Sequence, residues 1–184
     1  MDKTKIEEAI RSLLHEIEGE VGPRLQDTPE RVARAYVEMF DGYAVDIDKL
    51  VKTFDAEGAD QIVTVSDIRF NSFCEHHLLP WSGTAHVAYL PVGKVIGASK
   101  VGRLVLAYAH RLQLQERMTK QIGMTLMEKL KPQGVAVVIV GEHTCMRCRG
   151  AKLQASQLRS SVMLGEFRED RALRQEFFSL LNAR

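Results

Sequence analysis

Cysteine is scarce in this chain. Three in 184 residues, an odd number, exclude a fully paired disulfide framework and fit reduced thiols in a cytoplasmic setting. An excess of charge is lacking too: 25 Lys and Arg against 24 Asp and Glu leave a formal net charge of +1. No global field therefore gathers nucleic acid or an anionic membrane, and any basic site has to be local. The longest apolar runs, near residues 105 and 135, fall well short of the ~20 residues that a membrane-spanning helix needs. The opening Met1-Asp2-Lys3-Thr4-Lys5 leads into a charged amphipathic segment where a secretory signal would be apolar. Internal repeats, linkers and low-complexity tracts are absent as well. What is there suits one continuous domain, able to bury ~70% of the surface its unfolded form would expose.

Hydrophobic periodicity divides the chain into elements. Ile6, Ile10, Leu13, Leu14 and Ile17 recur at helical spacing, and this first helix stops near Gly19, with His15 on its polar face. Asp27-Thr28-Pro29-Glu30-Arg31 predicts a second helix with Thr28 as cap and Pro29 in its first turn, burying Val32, Tyr36, Met39 and Phe40. A poorly patterned stretch follows over 43–60. Ile62 to Phe70 is rich in β-branched residues and reads as a strand, and Thr84 to Leu90 as another, with His86 packed within it. Ser99 is placed to cap a helix carrying Val101, Leu104, Val105 and Tyr108. Leu114, Met118, Ile122, Leu126 and Leu130 mark a longer helix that ends before Pro132. Gly134 to Val140 reads as a strand buried on both faces, Ala151 to Met163 as a polar strand-like segment, and Asp170 as the cap of a closing helix.

Chemistry concentrates in two distant stretches, Phe73-Cys74-Glu75-His76-His77 and His143-Thr144-Cys145-Met146-Arg147-Cys148-Arg149-Gly150. The C-x-x-H spacing of Cys74 and His77 lets a thiolate and an imidazole reach one metal ion, and Cys145 offers a second thiolate. Three readings stay open at this point, one of them that the cysteines are core residues that hold no metal. With three protein ligands a zinc ion keeps an open position and activates water near neutral pH; with Cys148 added, C-x-x-H…C-x-x-C closes into a structural site. His76 and His143 flank the ligands at positions suited to proton transfer. Lys100 and Arg103, three apart in the first turn of a helix, would form an anion cradle with Arg149. Taken alone, Lys100 and Arg103 read more readily as solvated surface charges, and so does Arg31.

Five motifs carry a resemblance beyond this. Cys74-Glu75-His76-His77, His86-Val87-Ala88-Tyr89-Leu90-Pro91, Val95-Ile96-Gly97-Ala98-Ser99-Lys100, Gln113-Leu114-Gln115-Glu116-Arg117 and His143-Thr144-Cys145-Met146…Arg149-Gly150 follow one another as in GTP cyclohydrolase I, which the chain resembles from about Leu13 onward. The resemblance implies an α+β tunnelling fold, an antiparallel sheet with helices on one side, preceded by N-terminal helices. It places the helical segment over 1–60 and the catalytic region over 61–184. It implies assembly around a central pore, two pentameric rings making a decamer with active sites at subunit interfaces, and a cytoplasmic enzyme without nucleic-acid or membrane partners. The implied reaction converts GTP and water to formate and 7,8-dihydroneopterin triphosphate, at the head of folate and tetrahydrobiopterin routes. On that resemblance Zn2+ is held by Cys74, His77 and Cys145, while His143, His76 and Ser99 are catalytic. Glu116, helped by Gln115, anchors the guanine, and Lys100, Arg103, Arg149 and Arg31 hold the triphosphate. This chain departs from the family pattern at Cys148, at Leu158 and Arg159, at His110, and in the short Gly22–Leu25 turn.

Overall fold

The computed structural model describes residues 1–182, which form two compact units, one over Met1–Asp41 and the other from Gly42 onward. In the first, α1 (Lys3–Glu18) starts where Asp2 accepts the Lys5 N–H at 3.2 Å and ends at Gly19, whose φ of 75° suits a residue without Cβ. α2 (Thr28–Met39) packs against it, burying Pro29 and Ala33, and Lys3 reaches Glu30 at 3.4 Å. The N-cap of α2 is Asp27, with Thr28 already helical, so the predicted cap is displaced by one residue.

The second unit is built on a five-stranded mixed sheet in the order β5-β2-β3-β6-β7. Its strands are β2 (Val63–Cys74), β3 (Pro80–Leu90), β5 (Leu112–Gln113), β6 (Gly134–His143) and β7 (Leu158–Gly165). All neighbours pair antiparallel except the short parallel β2–β5 contact, which sets Phe73 opposite Leu112 and Cys74 opposite Gln113. The segment over 43–60, unpatterned in sequence, holds a single-turn helix α3 (Ile47–Leu50) and β1 (Thr53–Asp55). β1 pairs with β4 (Lys94–Ile96), a contact that no local pattern announces.

Two helices, α4 (Ala98–Ala109) and α5 (Gln115–Leu130), pack on one face of the sheet. Period-two alternation divides the strands between two clusters. Ala85, Val87 and Tyr89 of β3 and Val135, Val137 and Ile139 of β6 join Leu104, Val105, Met118, Ile122 and Leu126 in the main core. Their neighbours Ala88 and Ala136 meet Phe167 and Phe177 instead, where α7 (Glu166–Glu169) and α8 (Arg171–Asn182) cover one end of the other face. Asp170 caps α8 as predicted, its Oδ1 accepting from Ala172 at 2.7 Å and Leu173 at 3.3 Å. α4 begins one residue before Ser99, with Gly97 as its N-cap, so Ser99 lies inside the first turn and leaves the capping to backbone. The opposite end of the sheet gathers the C-termini of β2 and β6 and the start of β3, and with them Cys74, His143 and Trp81.

Candidate active site and metal centre

Strand register brings the two distant stretches together. Trp81 is paired with His143 across β3 and β6, and Phe73 with Pro80 across β2 and β3, so the loop after β2 and the one-turn helix α6 (Thr144–Arg147) lie side by side. Thr144 Oγ1 fastens them by donating to the Pro80 carbonyl at 2.5 Å. The loop is a tight turn in which the Leu78 N–H returns to the Cys74 carbonyl at 2.9 Å, with Leu78 at φ 54°.

The result is a cluster of Cys74, His77 and Cys145 whose ligand atoms all lie within 4.8 Å of one another. Cys74 is buried, and its Sγ is 3.6 Å from His77 Nδ1. The other imidazole nitrogen, Nε2, is 2.7 Å from Arg149 Nη1, so Nδ1 is the nitrogen on the thiol side. Burial pushes the Cys145 thiol up from its ordinary pKa, and the adjacent Cys74 adds to the rise, as crowded thiols without a counter-charge must. Two sulfurs and one imidazole nitrogen at this separation match a zinc-type donor set, and a cation between them would relieve the crowding. Cys148 is exposed and lies outside the cluster, so a closed four-ligand site through its sulfur has no geometric support.

His143 is buried, 7% exposed, and stacks on Trp81 with centroids 4.4 Å apart and planes 10° from parallel. Its Nε2 is 3.0 Å from Gln115 Oε1. The Gln115 amide nitrogen already donates to the carbonyls of Ile139 at 3.1 Å and Leu158 at 3.0 Å and lies 3.1 Å from Ser160 Oγ, which fixes its oxygen towards His143. An oxygen only accepts, so the facing His143 nitrogen holds a proton. Burial lowers the His143 pKa, against a smaller opposing effect of the Glu116 charge. Gln115 is itself 1% exposed and committed to these partners, which makes it a support for His143 within this chain. Thr119 and Ser160 extend the support through a 2.7 Å hydroxyl contact.

The remaining sequence-derived residues are placed less centrally. His76 is exposed, its ring 6.0 Å from that of His77. Ser99 and Arg103 are exposed and Lys100 half-buried in the first turn of α4, and among the described residues neither cation has an ion-pair partner. Glu116 is exposed at the start of α5, beside Gln115. Arg31 belongs to the first unit, where it pairs with Asp27 at 3.1 Å. Trp81, Ser160, Thr119, Glu75 and Arg117 escaped the sequence reading. The lone tryptophan and the arginine directly after Glu116 were the available signals.

The GTP cyclohydrolase I family model matches residues 6–182. The chain is 46% identical over 187 residues to GTP cyclohydrolase 1 of Caldanaerobacter subterraneus subsp. tengcongensis, covering 100% of this chain and 99% of that protein. It is 48% identical over 184 residues to GTP cyclohydrolase 1 of Carboxydothermus hydrogenoformans, covering 98% and 95%. A protein of Pseudomonas syringae pv. tomato named GTP cyclohydrolase 1 2 is 49% identical over 158 residues, covering 85% and 87%. Matched along nearly its whole length, with a thiol–imidazole cluster at the strand ends, the chain belongs to the GTP cyclohydrolase I family.

Proposed function

We propose that this chain hydrolyses GTP to formate and 7,8-dihydroneopterin triphosphate with a zinc ion held by Cys74, His77 and Cys145. The observation that carries the reading is the three-donor cluster within 4.8 Å, two sulfurs and one nitrogen, which leaves a tetrahedral ion one position short. When bound there, zinc supplies the Lewis acidity that makes water a nucleophile near neutral pH.

The chain's own residues supply orientation and proton transfer. Trp81 and Gln115 hold the His143 ring, with Nε2 protonated towards Gln115 and Nδ1 left to exchange a proton with the substrate. His76 and Ser99 serve the later rearrangement of the ribose. The Glu116 carboxylate has no ion-pair or hydrogen-bond partner among the described residues and accepts from the guanine N1–H and amino group as a bidentate pair. Lys100, Arg103 and Arg149, with Arg31, neutralise the triphosphate. Lys100 and Arg103, on an element separate from the metal loops, have no ion-pair partner among the described residues, which is what a site completed by neighbouring subunits needs and supports a homo-oligomer, read here as two pentameric rings. No helix among the described residues is long and apolar enough to cross a membrane.

Formate release from GTP, with a fluorescent pterin appearing after oxidation, tests the reaction. Both signals are expected to vanish on chelation and to return with added Zn2+. Formate yield indifferent to chelation would refute the metal assignment, and no formate from fully metallated protein would refute the reaction.

A further inference from the structure

One guanidinium ties together the three pieces of chain that bear on this site. Arg117 Nη2 meets Glu75 Oε2 in a short charge-assisted contact and donates to the Leu112 carbonyl at 2.8 Å, while Nε donates to Gln113 Oε1 at 3.1 Å. Gln113 is 2% exposed, and its amide nitrogen is fixed by the Tyr108 carbonyl at 2.8 Å and Gln121 Oε1 at 3.0 Å. Glu75 lies between Cys74 and His76, and its own N–H donates to the Gln113 carbonyl at 3.2 Å. Arg117 directly follows Glu116 in the first turn of α5. Metal loop, β5 and the start of α5 are therefore joined through one ion pair whose side chains are 29% and 40% exposed.

The geometry points to Glu75 and Arg117 as positioning residues that set the spacing between the metal cluster and the guanine-recognising Glu116. This rests on the reading of Glu116 proposed above. Neither residue belongs to the donor cluster, so the role acts through others. The planar fork of arginine satisfies three acceptors in fixed directions, which the single ammonium of lysine does not. Relative placement matters because a displacement of about 1 Å at a reacting centre costs ~100-fold in rate. It matters more for guanine than for hypoxanthine: Glu116 reaches the exocyclic amine of guanine, and inosine triphosphate has none.

The test compares kcat/KM for GTP and for inosine triphosphate in the full-length zinc-loaded protein and in its Glu75→Gln, Arg117→Met, Arg117→Lys and Glu116→Gln variants. Zinc content and melting temperature are measured on the same samples. Loss of the brace is expected to lower the GTP preference about tenfold in Glu75→Gln and Arg117→Met, with Arg117→Lys failing to restore it. Melting temperature alone would report a purely structural role, whereas the substrate ratio reports placement. A ratio unchanged from wild type in both brace variants, while Glu116→Gln collapses it, overturns the proposal and leaves the guanine anchor standing. A ratio unchanged in Glu116→Gln overturns the anchor and the brace with it. Should Arg117→Met fail to fold, Arg117→Lys and Glu75→Gln decide by the same ratio.

Discussion

Cys145 and Cys148 are three positions apart on one short turn, yet only Cys145 joins Cys74 and His77. Spacing alone allowed either sulfur, because C-x-x-C geometry says nothing about which thiol faces a loop seventy residues away. Substituting Cys145→Ser is expected to weaken zinc binding by at least the ~10–100-fold that loss of an outer-shell partner already costs, with formate production lost. Cys148→Ser should keep both, as read by metal analysis and formate assay. Gln115 shows the same limit of legibility. Its place in the Gln113–Arg117 motif implied that it helps to anchor the guanine, and nothing in that motif announced its contact with His143. His86 carries a prediction away from the metal. Its Nδ1 accepts the Asp67 N–H at 3.3 Å, where the β2–β3 register shifts and Asp67 takes φ 57°. Burial lowers its pKa below the ordinary 6.5, partly opposed by the Asp67 charge. The unfolded chain therefore binds the proton more readily. The contribution of His86 to stability is present above pH 6.5 and lost as pH falls through the lowered folded value. Denaturant titrations should show His86→Gln losing that part of the acid-side slope and no other.

At the scale of elements, sequence foretold what local physics decides. The helical stripes of α1, α4 and α5, the Asp170 cap and the apolar run of β6 all follow from periodicity and capping over a few residues. Long-range pairing was hidden: β1 against β4, the parallel touch of β5 on β2, and the extension of β2 and β3 to Cys74 and Pro80, past polar residues that lower β propensity. β6 also runs three residues further than its apolar core suggests, through Gly141-Glu142-His143. Gly141 explains how that extension holds the site. A Cβ there would come within 2.3 Å of Gln115 Oε1 and 2.9 Å of the Trp81 ring, the two groups that hold His143. Gly141→Ala is expected to cost about 1–3 kcal/mol of stability and to depress kcat by displacing the His143 supports, while zinc content stays intact. Denaturation, metal analysis and steady-state kinetics on one preparation check the three parts separately.

At the scale of the molecule, the metal cluster and the His143 support are assembled within one chain, whereas Lys100 and Arg103 of α4 and the Glu116 carboxylate have no ion-pair partner among the described residues. A protein working as proposed is thus metal-competent as a single chain and catalytically competent only when assembled. The most direct measurement takes one preparation, separates it by size, and determines zinc and formate yield in every fraction. The expected result is about one zinc per chain in the assembled fractions and formate production that tracks zinc there and falls away in monomer. Assembled, fully zinc-loaded protein that leaves GTP intact, or formate that appears in fractions without zinc, would contradict the claim that Cys74, His77 and Cys145 form the hydrolytic centre.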